Sequence, residues 1–102
     1  MIEVWKFNHQ VQTVEGPILL RIQMNSPFLL HWTSDEWIHS TDTRSLATGV
    51  GIDYVDIPVP AEDATLKFTF FWPAEDRWEG RDYMVEARVG GQTKHKKTRN
   101  GR

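Results

Sequence analysis

Two tryptophans stand where an indole is costly to leave. Trp37 ends the polar run Ser34-Asp35-Glu36-Trp37, and Trp78 lies inside Asp76-Arg77-Trp78-Glu79-Gly80. An exposed indole wastes a large apolar surface unless it closes over a core or meets a ligand. Around these two lie groups that hydrogen-bond readily: His31, Asp35, Glu79 and Arg81. Flat apolar faces beside carboxylate, guanidinium and imidazole groups suit a sugar. A pyranose offers a face of C–H bonds to stack on an aromatic ring and a rim of hydroxyls that needs donors and acceptors.

Other chemistries are poorly supplied. There is no Gly-x-Ser-x-Gly, no phosphate-cradling glycine loop and no His-Glu-x-x-His. Acid pairs such as Asp35-Glu36 and Glu75-Asp76 sit in turns, where solvated surface is the expected role. His9, His31 and His39 match no metal-ligand spacing, and the absence of cysteine removes thiolate sites and disulfides. No cofactor is expected, and the chain reads as an accessory module rather than an enzyme.

The charge distribution argues against nucleic acid. Residues 1–93 carry seven basic and fourteen acidic side chains, a net charge of −7. A phosphate-binding surface needs the opposite sign. The remaining basic residues, Lys94, Lys96, Lys97, Arg99 and Arg102, form a tail over 91–102 with no apolar anchor, expected to be disordered. No apolar run approaches the length of a membrane-spanning helix, and Met1-Ile2-Glu3-Val4-Trp5-Lys6 lacks the layout of a signal peptide. Those readings imply a soluble chain in the cytoplasm or periplasm of a bacterium.

The elements that must hold the two tryptophans are strands. Ile18, Leu20, Ile22 and Met24 alternate onto one face, as do Leu66, Phe68, Phe70 and Trp72, and then Tyr83, Val85 and Ala87. Phe28, Leu30 and Trp32 share a phase, so Trp32 and Trp72 are expected in the core. Residues 4–11 read as a first strand, residues 54–60 as an edge strand because of Pro58 and Pro60, and residues 33–51 as a long polar connection. The pattern predicts one domain over residues 1–90, an all-β, immunoglobulin-like antiparallel sandwich of six to eight strands. Leu20, Ile22, Leu30, Trp32, Ile57, Phe68, Phe70 and Val85 are expected inside it.

His31-Trp32, Trp37 after a polar turn, Ile57-Pro58-Val59-Pro60, Phe68-Thr69-Phe70, Trp78 and Asp82-Tyr83 resemble the starch-binding carbohydrate-binding modules of families 25 and 53. Phe70-Phe71-Trp72-Pro73 with Arg77-Trp78-Glu79-Gly80-Arg81-Asp82-Tyr83, and Thr41-Asp42-Thr43-Arg44-Ser45, are similar to the C-terminal module of bacterial glucan 1,4-α-glucosidases of glycoside hydrolase family 15. The resemblance spans about residues 4–89. It implies a non-catalytic sandwich that binds α-1,4-glucan or maltooligosaccharide beside a linked or associated catalytic domain. It also implies a platform of His31, Trp37 and Trp78. The starch-binding modules carry Asp and paired Asn after the second loop tryptophan, where this chain has Glu79-Gly80-Arg81. An immunoglobulin-like docking domain is the competing reading. A glucan platform predicts the two indoles exposed and coplanar; a docking domain predicts them buried or scattered.

Overall fold

The alternation of apolar residues resolves into ten strands in two facing sheets, in a computed structural model that describes residues 1–89. The basic tail expected over 91–102 lies outside the described residues. Strands β1 (Ile2–Trp5), β3 (Ile18–Met24), β7 (Asp53–Val59) and β6 (Leu46–Ala47) form one sheet in the order β1-β3-β7-β6. Strands β2 (Thr13–Gly16), β10 (Tyr83–Val89), β8 (Ala64–Trp72), β4 (Leu29–Thr33) and β5 (Thr41–Arg44) form the other in the order β2-β10-β8-β4-β5. The short β9 (Arg77–Trp78) pairs with the end of β8. The all-β sandwich expected from the sequence is therefore present. Its count exceeds six to eight by the two-residue strands β6 and β9.

Three details depart from the expected arrangement. The sheets are mixed, because β1 runs parallel to β3 and β2 parallel to β10. The first strand is not residues 4–11: β1 stops at Trp5, and Lys6 and His9 exchange backbone hydrogen bonds across a tight turn. The connection over 33–51 holds β5 and β6, whose polar Thr41-Asp42-Thr43-Arg44 lacks the apolar alternation that marks a half-buried strand. The proline-bearing strand is β7, and its neighbour β6 pairs only with Asp53 and Tyr54. Leu19 donates its N–H to Met1 on the far side, so the facing Pro58 turns its missing donor toward the open edge.

The core lies between the inward rows. Leu20, Ile22, Val55 and Ile57 from one sheet meet Leu30, Leu66, Phe68, Phe70 and Val85 from the other, all buried. Trp5 is its centre, 1% exposed, with ring centroids 5.0 Å from Phe68 and 5.1 Å from Tyr83. Trp32 and Trp72, expected inside, are only partly buried and pack on the core's margin. Each indole N–H finds its partner at that margin, the Thr43 hydroxyl for Trp32 and the Glu79 carboxylate for Trp72. At the opposite margin Gly16 passes so close to Pro60 that an added Cβ would lie 2.1 Å from its carbonyl oxygen, so only glycine fits.

Candidate functional site

The alternation that sends Leu30 inward sends His31 outward on the exposed face of β4. Its ring is fixed by Asp42, directly opposite on β5, whose Oδ1 lies 2.5 Å from Nδ1. An ionised carboxylate only accepts, so Nδ1–H donates, and among the described residues Nε2 has no hydrogen-bond partner. Asp42 was not singled out from sequence, since β5 itself was read as loop.

Trp37 comes from the turn that follows β4. Thr33 is 2% exposed, and its hydroxyl accepts the N–H groups of Asp35 and Trp37, each at 3.2 Å. Its single hydrogen is shared between two near oxygens, Asp35 Oδ1 at 2.8 Å and the His39 carbonyl at 2.5 Å. Asp35 closes the turn by accepting the His39 backbone N–H at 2.9 Å and its Nδ1–H at 2.7 Å. Those two bonds, led by the backbone one and joined by the Thr33 hydroxyl, hold the Asp35 carboxyl down at about 2. Glu36 and Trp37 both adopt left-handed backbone, with φ of 60° and 68°. That conformation costs about 1–2 kcal/mol per residue and persists because the turn's bonds over-determine it. Lys67 Nζ on β8, 2.7 Å from Glu36 Oε1, ties the turn back to the sheet.

The second tryptophan arrives by a tight reversal. After β8 the chain turns through Pro73 to Asp76, where φ is 50°, and returns as β9. β10 pairs with β8 only as far as Phe68, and β9 pairs with the length beyond, placing Trp78 opposite Phe71. The two rings meet at 5.1 Å and 60°.

His31 gathers the two indoles. Trp37 lies nearly parallel to its ring at 5.0 Å and 14°, while Trp78 meets it edge to face at 5.9 Å and 75°. The indoles therefore stand steeply to each other and form a corner with His31 at its seam. They are neither coplanar nor scattered: Trp78 is 51% exposed and Trp37 is half-buried. The coplanar platform gives way to a bent one because Trp37 comes from a turn beyond β4 and Trp78 from a strand paired with β8.

The other three residues singled out from sequence have partners of their own within or beside the two loops. Both oxygens of Asp35 are committed to its own turn. Glu79 accepts the Trp72 indole N–H at 2.9 Å on Oε1 and the Tyr83 hydroxyl at 2.7 Å on Oε2, so it braces the second loop from beneath. Burial first, and then the Glu79 hydrogen bond, push the Tyr83 hydroxyl up to about 12. Arg81 lies over the Tyr83 ring, 4.8 Å from its centroid, and its carbonyl accepts the Thr69 hydroxyl. His31, Trp37 and Trp78 thus come together as an aromatic surface, while Asp35 and Glu79 are spent on holding it. Among the described residues no group of three His, Asp or Glu side chains is placed to hold a metal ion.

No family model matches the chain, and no solved structure matches it. The cycloisomaltooligosaccharide glucanotransferase of Niallia circulans is 27% identical to it over 95 residues, a match covering 80% of this chain and 10% of that protein. The chain spans about a tenth of the length of that relative. It is similar to a segment of a carbohydrate-active enzyme.

Proposed function

We propose that this domain is a non-catalytic α-glucan-binding module that stacks glucose rings on the corner formed by Trp37 and Trp78. The observation that carries the reading is the gathering of two loop indoles around His31, on an outer sheet face, by two independently braced loops. The corner suits an α-linked chain in particular. Such a chain curls, so neighbouring glucose faces are rotated and can meet two steep planes. A flat β-1,4 chain presents its rings side by side in one plane. His31 Nε2, with Nδ1 held by Asp42, is available to hydrogen-bond a hydroxyl of the bound sugar. The reading is non-catalytic because the carboxylates around the corner are engaged, Asp35 and Glu79 inside the loops, Asp42 with the His31 ring and Glu36 with Lys67.

Covering half of one indole, on the order of 100 Å², contributes about 2–3 kcal/mol. Association entropy and ordering of the sugar offset much of two such stacks. The dissociation constant for a maltooligosaccharide is then about 10 μM to 1 mM, with little salt dependence because the ligand is neutral. The similarity to a small part of a much longer glucanotransferase supports an accessory role, with this domain delivering a glucan to a linked or associated catalytic domain. A glucan 1,4-α-glucosidase is the partner enzyme that the Arg77–Tyr83 phrase favours.

The test is affinity electrophoresis through gels holding soluble starch, isomaltooligosaccharides or a soluble β-1,4-glucan. Starch should retard the wild-type chain and the β-glucan should not. Trp37→Ala and Trp78→Ala should each weaken retardation at least about tenfold while leaving the circular dichroism spectrum unchanged. Equal mobility of wild type and both variants in starch would refute the reading.

A further inference from the structure

A second concave site lies at the end of the sandwich, on the other side of β8. Strand alternation points Phe71 out beneath Trp78 and Trp72 inward, and Trp72 forms part of a cleft of about 470 Å³. The turn after β1 and the turn between β3 and β4 are its walls. Phe7 and Trp72 supply an aromatic floor, their rings 6.3 Å apart, and Phe7 stays 43% exposed although it packs against Phe70 and Tyr83. Asn8, Gln23 and Asn25 bring amide groups to the rim, and Lys6 brings an ammonium. Among the described residues none of these four side chains has a hydrogen-bond or ion-pair partner, and no carboxylate lines the cleft.

We infer that this cleft is a second binding site, for a neutral pyranoside. The floor matches a C–H face, and the amides supply both donors and acceptors to hydroxyls. An apolar ligand would strand the polar rim, and a polyanion would meet a body whose net charge is strongly negative. The volume falls within the usual range for small-molecule sites and accommodates one or two sugar rings. The proposal shares its ligand chemistry with the Trp37–Trp78 corner but none of its residues, so it stands or falls separately. With both sites filled, one domain holds two glucan segments, and retention on a polymer gains from their linkage.

Amide and side-chain NMR on the full chain, titrated with glucose, maltose and isomaltose to tens of millimolar, separates the two sites. Trp72 alone is an ambiguous reporter, since Glu79 joins its indole N–H to the loop of Trp78. The side-chain amides of Asn8, Gln23 and Asn25 report the cleft directly. In the double variant Trp37→Ala/Trp78→Ala these amides should still shift, with millimolar affinity. Gln23→Ala/Asn25→Ala should abolish the Asn8 shift while the Trp37 and Trp78 indole signals keep their response. Cleft shifts with a silent corner would support this inference and sink the glucan-corner reading. Unmoved amides of Asn8, Gln23 and Asn25 in the wild-type chain with all three sugars, or an Asn8 shift that survives Gln23→Ala/Asn25→Ala, would overturn it.

Discussion

Asp35 holds both carboxylate oxygens in hydrogen bonds of its own turn and so sets where Trp37 stands. Its carboxyl is held at about 2, below an ordinary value of 3.8, by the His39 backbone N–H, the His39 ring and the Thr33 hydroxyl. A carboxyl whose folded value is depressed contributes its stabilisation fully above the unfolded value and loses it as pH falls through the folded one. The Trp37 amide signal should therefore hold its native position at pH 4 and move only as pH approaches 2. A transition centred near 4 would show that Asp35 is free. The sequence marked Asp35 as a rim group, because composition places a carboxylate near a tryptophan without saying where its oxygens point. The partners of Glu79 were hidden for the same reason: Trp72 and Tyr83 are nearby in sequence, but only the β8–β9–β10 geometry turns them toward it. The placement of Trp37 and Trp78 outside the core was legible because both stand in polar runs, whereas His31 stands on a strand and was indicated by the resemblance.

At the scale of elements, the two loops stand on strand ends that the sandwich fixes. Thr33 is the last residue of β4, and its buried hydroxyl accepts two N–H groups of the turn while offering its own hydrogen. Replacement by Val keeps the shape but removes the acceptor, leaving two backbone donors without their partner. Thr33→Val should cost about 1–3 kcal/mol in a urea midpoint and weaken glucan binding through Trp37. Full retention of both would show that the turn is held by Asp35 alone. The inward rows were plain from alternation over Ile18–Met24 and Ala64–Trp72, since each buries one face. The parallel pairings were not, because a strand's pattern records which face is buried and not which way its neighbour runs. β5 was hidden for a related reason: both of its faces are mostly exposed, so no apolar alternation marks it.

Across the whole molecule, one aromatic core holds both sheets and so both loops. Phe68 touches Trp5, Phe70 and Tyr83 within it, and its backbone pairs with Trp32 on β4 and Tyr83 on β10. Phe68→Ala should cost about 3–5 kcal/mol, enough to unfold much of a domain of this size, read as a fall in thermal midpoint. A shift of only a degree or two would mean the core does not depend on that ring. The position of His31 between two indoles from separate loops follows from this frame, and a bent aromatic corner on a sandwich face is its consequence. Titration of the 15N-labelled chain with maltoheptaose decides whether the corner binds α-glucan. Saturable shifts of the Trp37 and Trp78 indole N–H signals and the His31 amide are expected, at about 10 μM to 1 mM. Folded protein whose indole signals stay fixed at millimolar maltoheptaose would contradict the α-glucan reading.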